Sequence, residues 1–141
     1  MSDEVEIGRG KRGRRAYTLD DIALVPSRRT RDPEDVNVGW QIDAYHVDTP
    51  LMAAPMDSVM SPETAIAFGR LGGIGVLDLD GLWTRYEDPT PILDHIAHLG
   101  EEESIATLQR VYSEPIKPSL ITERLKQLRE AGVVVAGKLS P

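Results

Sequence analysis

The sequence predicts an α/β fold built on parallel strands, and three observations carry that prediction. The stretch "TPLMAAPMDSVMSPETAIAFGRLGGIGVLDLD", Thr49 to Asp80, gives an apolar run, a capped helix, a double glycine and a second apolar run. That order is a βαβ unit, whose crossover is expected to be right-handed. Proline-led helical segments follow, and they end in "VVVAG", Val133 to Gly137, a β-branched strand. Strand and helix alternate along this whole region, as in a parallel sheet covered by helices.

The elements follow in order. "GRGKRGRR", Gly8 to Arg15, carries five basic residues and no interleaved aromatic. It is expected to be a solvated tail or a segment that docks on a neighbouring subunit. In "AYTLDDIALVPSRRTRD" neither the helical nor the strand period fits cleanly, and Pro26 ends it as a loop. "VNVGWQI" predicts a short strand with Val36, Val38, Trp40 and Ile42 on one face. Leu51 to Ala54 predict a strand buried on both faces. Ser61-Pro62-Glu63 is a helix start: Ser61 caps, Pro62 has no N–H to lose, and Glu63 favours the positive end of the dipole. Ala65, Ile66, Phe68 and Leu71 give the apolar face of that helix, and Gly72-Gly73 stop it. Ile74 to Leu79 form the next strand. Thr90-Pro91 repeats the cap-and-proline start, with Ile92, Ile96 and Leu99 at helical spacing. Ile105, Leu108, Val111 and Tyr112 predict a further helix, and Ile121, Leu125 and Leu128 another, stopped at Gly132. No internal repeat beyond this alternation and no low-complexity linker is present.

Composition narrows the function. The length of 141 residues suits one domain with enough apolar content for a core. There is no cysteine, which excludes disulfides, cysteine zinc sites and thiol nucleophiles within the chain. No apolar run approaches the ~20 residues of a membrane span, and the charged N-terminus lacks a signal-peptide apolar region. A soluble, cytoplasmic protein is expected. The net charge of −7 is uneven: residues 1–31 hold 8 basic and 5 acidic residues, residues 32–141 hold 8 and 18. The acidic body argues against broad nucleic-acid binding through phosphate neutralisation.

The loop after the Leu51–Ala54 strand holds residue types that core packing does not call for. Ligands of parallel α/β folds gather at the carboxyl ends of strands. Ala53 and Ala54 are small and allow close approach. Met56 offers a polarizable surface suited to a heteroaromatic ring. Asp57 and Ser58 could hydrogen-bond a ribose. The same residues also suit a plain βα loop, with Met56 buried and Asp57 capping backbone donors, so the residues alone leave both readings open.

"YTLDDIALVPS" followed by "TPLMAAPMDSVMSPETAIAFGRLGGIGVL" resembles the IMP dehydrogenase/GMP reductase family in its N-terminal part. Three motifs fall in the family's order: T-x-D-D-(V/I)-x-L-V-P, then P-(L/I)-(V/I)-(S/A)-(S/A)-(P/A)-M-D-(T/S)-V, then A-x-x-G-G-(I/L)-G. "EIGRGKRGRR" and "GVLDLDGLWTRYEDP" look like the actinobacterial IMP-dehydrogenase-related branch. The resemblance implies a (β/α)8 TIM barrel, of which this chain would supply the N-terminal portion, about three strands and their helices, over residues 17–141, after a basic tail over residues 1–16. It implies a purine-nucleotide oxidoreductase, IMP to XMP with NAD, with the GMP reductase reaction (GMP to IMP with NADPH) as the alternative. A third possibility is an inactive fragment that associates with a full-length copy. IMP or GMP would be the ligand, and a homo-oligomer, a tetramer in the family, the assembly. Carried over by motif, Ala54 lies beside the nucleotide and Met56 packs on the purine, with Asp57 and Ser58 next to them. Leu24, Val25 and Pro26 match a segment that reaches a cofactor pocket, in some members that of a neighbouring subunit.

The chain also departs from the pattern. Where family members often carry His-Lys-Asn after the second strand, this chain has Asp78, Leu79 and Asp80, so the lysine of that strand is absent. Asp78 and Asp80 are read as exposed loop carboxylates, with polar roles open to them. Only 53 residues separate Leu79 from Val133, which leaves no room for an inserted pair of CBS modules. A (β/α)8 barrel needs about 250 residues, and the family's catalytic cysteine loop is expected beyond this chain, which therefore supplies no catalytic residue of its own. Ser140-Pro141 repeats a helix start at the very end, which predicts truncation and a marginal, aggregation-prone product. Three smaller candidates take bland readings. His46, His95 and His98 are assigned surface or packing roles rather than metal binding, and Trp40 and Trp83 core or loop anchoring. Arg28, Arg29 and Arg31 are assigned to a solvated loop or subunit contact rather than a phosphate site.

Overall fold

The computed structural model describes residues 4–23, 25 and 32–140. The chain divides into two compact units, Met1–Val36 and Asn37–Pro141, so the division falls later than the tail boundary at residues 16 and 17. In the first unit, strands β1 (Glu4–Glu6) and β2 (Arg12–Arg14) pair antiparallel, with Glu4 opposite Arg14 and Glu6 opposite Arg12. Gly8 and Gly10, both at positive φ, make the turn possible. The basic segment, expected as a tail, thus contains a hairpin, because its glycines serve the turn and its arginines face glutamates across the ladder. A 3-10 turn follows at Leu19–Asp21, where the Asp21 carboxylate accepts from the Thr18 amide and hydroxyl, both at 2.9 Å.

The second unit begins with a second hairpin, β3 (Trp40–Ile42) and β4 (Tyr45–Val47), which turns at Asp43 with φ 49°. The expected strand over "VNVGWQI" is shorter than its alternating pattern, since Val36 and Val38 lie outside it and stand exposed. Next come β5 (Met52–Ala53), helix α1 (Pro62–Arg70), β6 (Ile74–Asp78), α2 (Thr90–Ala97), α3 (Glu101–Val111), α4 (Pro118–Glu130) and β7 (Ala136–Lys138). The three later strands form one parallel sheet in the order β5-β6-β7.

Local chemistry explains most of these boundaries. Ser61 Oγ accepts from the Thr64 amide and Thr64 Oγ1 accepts from the Ser61 amide, a reciprocal cap with Pro62 in the first turn. Gly72 (φ +89°) and Gly132 (φ +73°) end α1 and α4 in the left-handed region. Strand β5 is shorter than the predicted Leu51–Ala54 and is not buried on both faces: Leu51 and Met52 are 57% and 56% exposed. It is an edge strand with one neighbour, and the Leu51 amide turns back to the Thr49 carbonyl. Strand β7 starts later than the predicted Val133 because the Val133 amide closes α4 on the Leu128 carbonyl.

Two cores lie on opposite faces of the sheet. Leu77 and Leu79 pack with Met60, Ala65 and Leu128 under α1 and α4. Ile74 and Val76 pack with Val47 of the β3–β4 hairpin, joined by Val134 and Ala136. The strand period of two puts Gly75 and Leu77 on the helix face, and Ile74, Val76 and Asp78 on the other. Gly75 is required there, since a Cβ would lie 2.6 Å from the Ala65 Cα. No helix among the described residues is long and apolar enough to cross a membrane.

Candidate functional site

At the carboxyl ends of β5 and β6, the loop Pro55–Ser58 faces α2 and α3 across a cavity of about 410 Å3. Met56, Asp78 and Tyr112 line it together with Leu82, Leu93 and Ile96. Met56 is half exposed, at 50%, rather than packed into the core, so its thioether is available to a flat ring. Ala54 and Ser58 are exposed beside it.

Asp57 serves a different purpose from its neighbours. Its Oδ2 accepts from the Leu82 amide at 2.7 Å and from the Tyr112 hydroxyl at 2.5 Å. Its Oδ1 is buried without a partner among the described residues, against Gly81, where a Cβ would lie 2.3 Å from it. Asp57 therefore fastens the loop to the turn after β6 and to α3. Burial pushes the Tyr112 hydroxyl pKa up, and the Asp57 carboxylate raises it further, so Tyr112 is a standing donor. The Arg85 guanidinium lies 5.6 Å from the Tyr112 ring centroid, donates to the Asp80 carbonyl at 3.2 and 2.9 Å, and also donates to the Glu114 carbonyl. The Tyr86 hydroxyl donates to the Val111 carbonyl at 3.1 Å. The far end of α3 is thus bound to the strand-end turns on which the site stands.

Asp78 and Asp80 are not exposed loop carboxylates. Asp78 is the last residue of β6, and the two side chains are 18% and 25% exposed. Lys138 Nζ lies 3.3 Å from Asp78 Oδ1 and 3.1 Å from Asp80 Oδ2. Asp80 Oδ2 also accepts from the Ser140 amide at 2.7 Å. That bond, followed by those from Lys138, lowers the Asp80 pKa, while the Asp80 hydrogen bond leads in raising that of Lys138. The neighbouring strand thus places a lysine between the two carboxylates that follow β6's apolar run. The parallel register of β6 and β7 sets Lys138 beside Asp78, a pairing that a period within one strand does not announce. The Tyr112–Asp57 bond, across 55 residues, is likewise a product of the tertiary fold.

The other candidates are scattered. Val25 is 79% exposed, while Leu24, Pro26, Arg28, Arg29 and Arg31 lie outside the described residues. His98 Nδ1 is 2.7 Å from the Asp94 carbonyl oxygen, and His46 sits 3.8 Å from Asp48 at the surface. Among the described residues no three His, Cys, Asp or Glu side chains group as metal ligands. The Trp83 carbonyl accepts from Arg124, whose guanidinium lies 5.7 Å from the Trp83 ring centroid, so that tryptophan anchors a loop. Trp40 stands 43% exposed in β3.

Comparison with known proteins agrees with this architecture. Residues 16–83 match the IMP dehydrogenase / GMP reductase domain. An uncharacterized oxidoreductase of Mycolicibacterium smegmatis is 42% identical over 142 residues, which cover 97% of this chain and 38% of the relative. The inosine-5′-monophosphate dehydrogenase of Methanocaldococcus jannaschii is 41% identical over 64 residues, 45% of this chain and 13% of that protein. A crystal structure of an IMP dehydrogenase/GMP reductase-like protein from Corynebacterium glutamicum superposes with a TM-score of 0.80 at 43% identity, covering 99% of this chain and 38% of that one. The chain thus spans about 38% of the length of these long-range relatives, and its parallel sheet and helices are part of a (β/α)8 barrel. The mycobacterial and corynebacterial matches put the chain's similarity on the actinobacterial side, and residues 16–83 carry its match to the IMP dehydrogenase/GMP reductase domain.

Proposed function

We propose that the cavity beside Met56 is one wall of a purine-nucleotide site, and that the whole protein oxidises IMP to XMP with NAD. The observation that carries this is the half-exposed Met56, presented by a loop that Asp57 ties down, at the carboxyl end of a family-matched strand. Ala54 leaves room for the nucleotide, Met56 stacks on the purine, and Ser58 offers a hydroxyl at the rim. IMP, NAD+ and water would give XMP, NADH and a proton. The attacking cysteine belongs to a part of the protein outside these 141 residues, which contain none. This chain's own share is binding and orientation, and the water exclusion supplied by the apolar side chains of α2 and α3.

NAD supplies the hydride acceptor when bound. Val25, exposed at 79%, suits a segment that contacts a ligand or a neighbouring copy in a homo-oligomer. GMP reduction with NADPH is the second reading, favoured by the short bridge of 53 residues between Leu79 and Val133, where a regulatory insertion has no room. The test is to assay the full-length natural chain with IMP plus NAD, and separately with GMP plus NADPH, following nicotinamide absorbance. NADH formation that depends on IMP supports the first reading. NADPH consumption with GMP transfers the proposal to the second, and no turnover of either pair removes both.

A further inference from the structure

We propose that Asp78 is the acceptor that meets the hydrogen-bond donors of the bound nucleotide, and that Lys138 is the residue that positions it. The inference rests on the nucleotide reading of the cavity and adds to it which end of the ligand meets β6. Asp78 and Lys138 end adjacent strands in register, on the sheet face turned away from α1 and α4. Asp78 Oδ1 accepts from the Asp80 amide at 3.0 Å and from Lys138 Nζ at 3.3 Å. Two donors on one oxygen fix the carboxylate plane. Asp78 Oδ2 receives no hydrogen bond among the described residues, and Asp78 lines the cavity.

Asp57 is no alternative for this task. Its Oδ2 is committed to Leu82 and Tyr112, and its Oδ1 is closed off by Gly81. Ser58 stands at the rim and offers only a hydroxyl. Asp78 is left as the carboxylate with an open oxygen, in a cavity otherwise dominated by Leu82, Leu93, Ile96 and Leu108. A carboxylate only accepts, and an oxygen left facing a largely apolar lining is best met by a donor from the ligand. It therefore selects an O–H or N–H edge. It also repels phosphate, because the Lys138 charge is shared between two carboxylates and the trio keeps a net charge of −1. The nucleotide consequently binds with a sugar hydroxyl or a base N–H towards β6 and its phosphate elsewhere.

The experiment is calorimetric titration of the full-length natural chain with IMP, GMP and 2′-deoxy-IMP, for the wild type, Asp78→Asn, Lys138→Met and Lys138→Arg. Melting curves of each unliganded protein are recorded alongside. Asp78→Asn is expected to weaken IMP binding by about tenfold or more, the usual range for losing a hydrogen bond to a charged group. Lys138→Met leaves Asp78 in place but unheld, and is expected to weaken IMP by a smaller factor that Lys138→Arg restores. If the Asp78→Asn loss disappears with 2′-deoxy-IMP, the donor is the ribose 2′-hydroxyl. If it persists, the donor is another hydroxyl or the base. Unchanged IMP affinity in Asp78→Asn overturns the proposal, and so does a Lys138→Met variant that melts lower yet binds as the wild type. A wild type that binds neither IMP nor GMP overturns the nucleotide reading, and this inference with it. A wild type that binds while Asp78→Asn binds equally well overturns this inference alone.

Discussion

Asp57 and Met56 are adjacent in sequence and opposite in role. Both line the cavity, but Met56 stands half exposed while the Asp57 carboxylate is bound to the Leu82 amide and the Tyr112 hydroxyl. Replacing Asp57 with Ala would leave the buried Leu82 amide without its acceptor and free the Tyr112 hydroxyl. A loss of ~1–3 kcal/mol is expected in urea unfolding, the range for an orphaned buried donor. Tyr112→Phe removes one partner and keeps the ring, so about 1 kcal/mol is expected. Tyr112 also makes a pH prediction. Its folded pKa lies above the ordinary 10.0, so its bond stabilises the fold below pH 10 and is lost as pH rises from there. Tyr112→Phe should unfold with a shallower loss of stability at alkaline pH than the wild type. Parallel alkaline limbs in the two proteins would show that the tyrosine proton is not linked to folding.

At the scale of elements, boundaries set by side-chain chemistry were legible, and boundaries set by tertiary pairing were not. Ser61-Pro62 and the glycines at 72 and 132 announce where α1 begins and where α1 and α4 end, because caps and left-handed turns are local. At Thr90-Pro91 the same logic missed by one position, since Pro89 is the N-cap. Thr90 lies inside the helix, and the Asp88 carboxylate just before the cap accepts from its amide at 3.0 Å. The strand holding Trp40 and Ile42 was read from its alternation, but its hairpin partner and the β1–β2 hairpin were missed because those strands are three residues long, too short for a period to show. Met56 stands half exposed beside the cavity, at the strand's carboxyl end where its place in the sequence put it. The Asp78–Lys138 ion pair needed the register of two strands 60 residues apart. Two predictions belong here. Ser61→Ala should cost α1 about 1 kcal/mol. Gly75→Ala should cost ~1–3 kcal/mol, because α1 lies too close to β6 for a methyl group to enter without displacing the helix. Both are read from urea midpoints at constant slope.

For the second unit as a whole, the sheet decides the behaviour of the isolated chain. β5 and β7 each have one neighbour among the described residues, and they leave Leu51, Met52 and Leu139 exposed at 57%, 56% and 61%. An unpaired parallel edge with apolar side chains is a template for another strand. In a (β/α)8 barrel, sheet edges are closed by further strands. The net charge of −7 opposes association at low ionic strength, and salt screens that repulsion over a Debye length of ~8–10 Å. Association of the 141-residue polypeptide should therefore grow with both protein concentration and salt. Sedimentation velocity over a concentration series, at low and at physiological ionic strength, reads this directly. Growth of large species with salt supports edge-driven association. A single monomer peak at every concentration and salt level, with cooperative urea unfolding, would show instead that three strands, two hairpins and four helices satisfy their own edges.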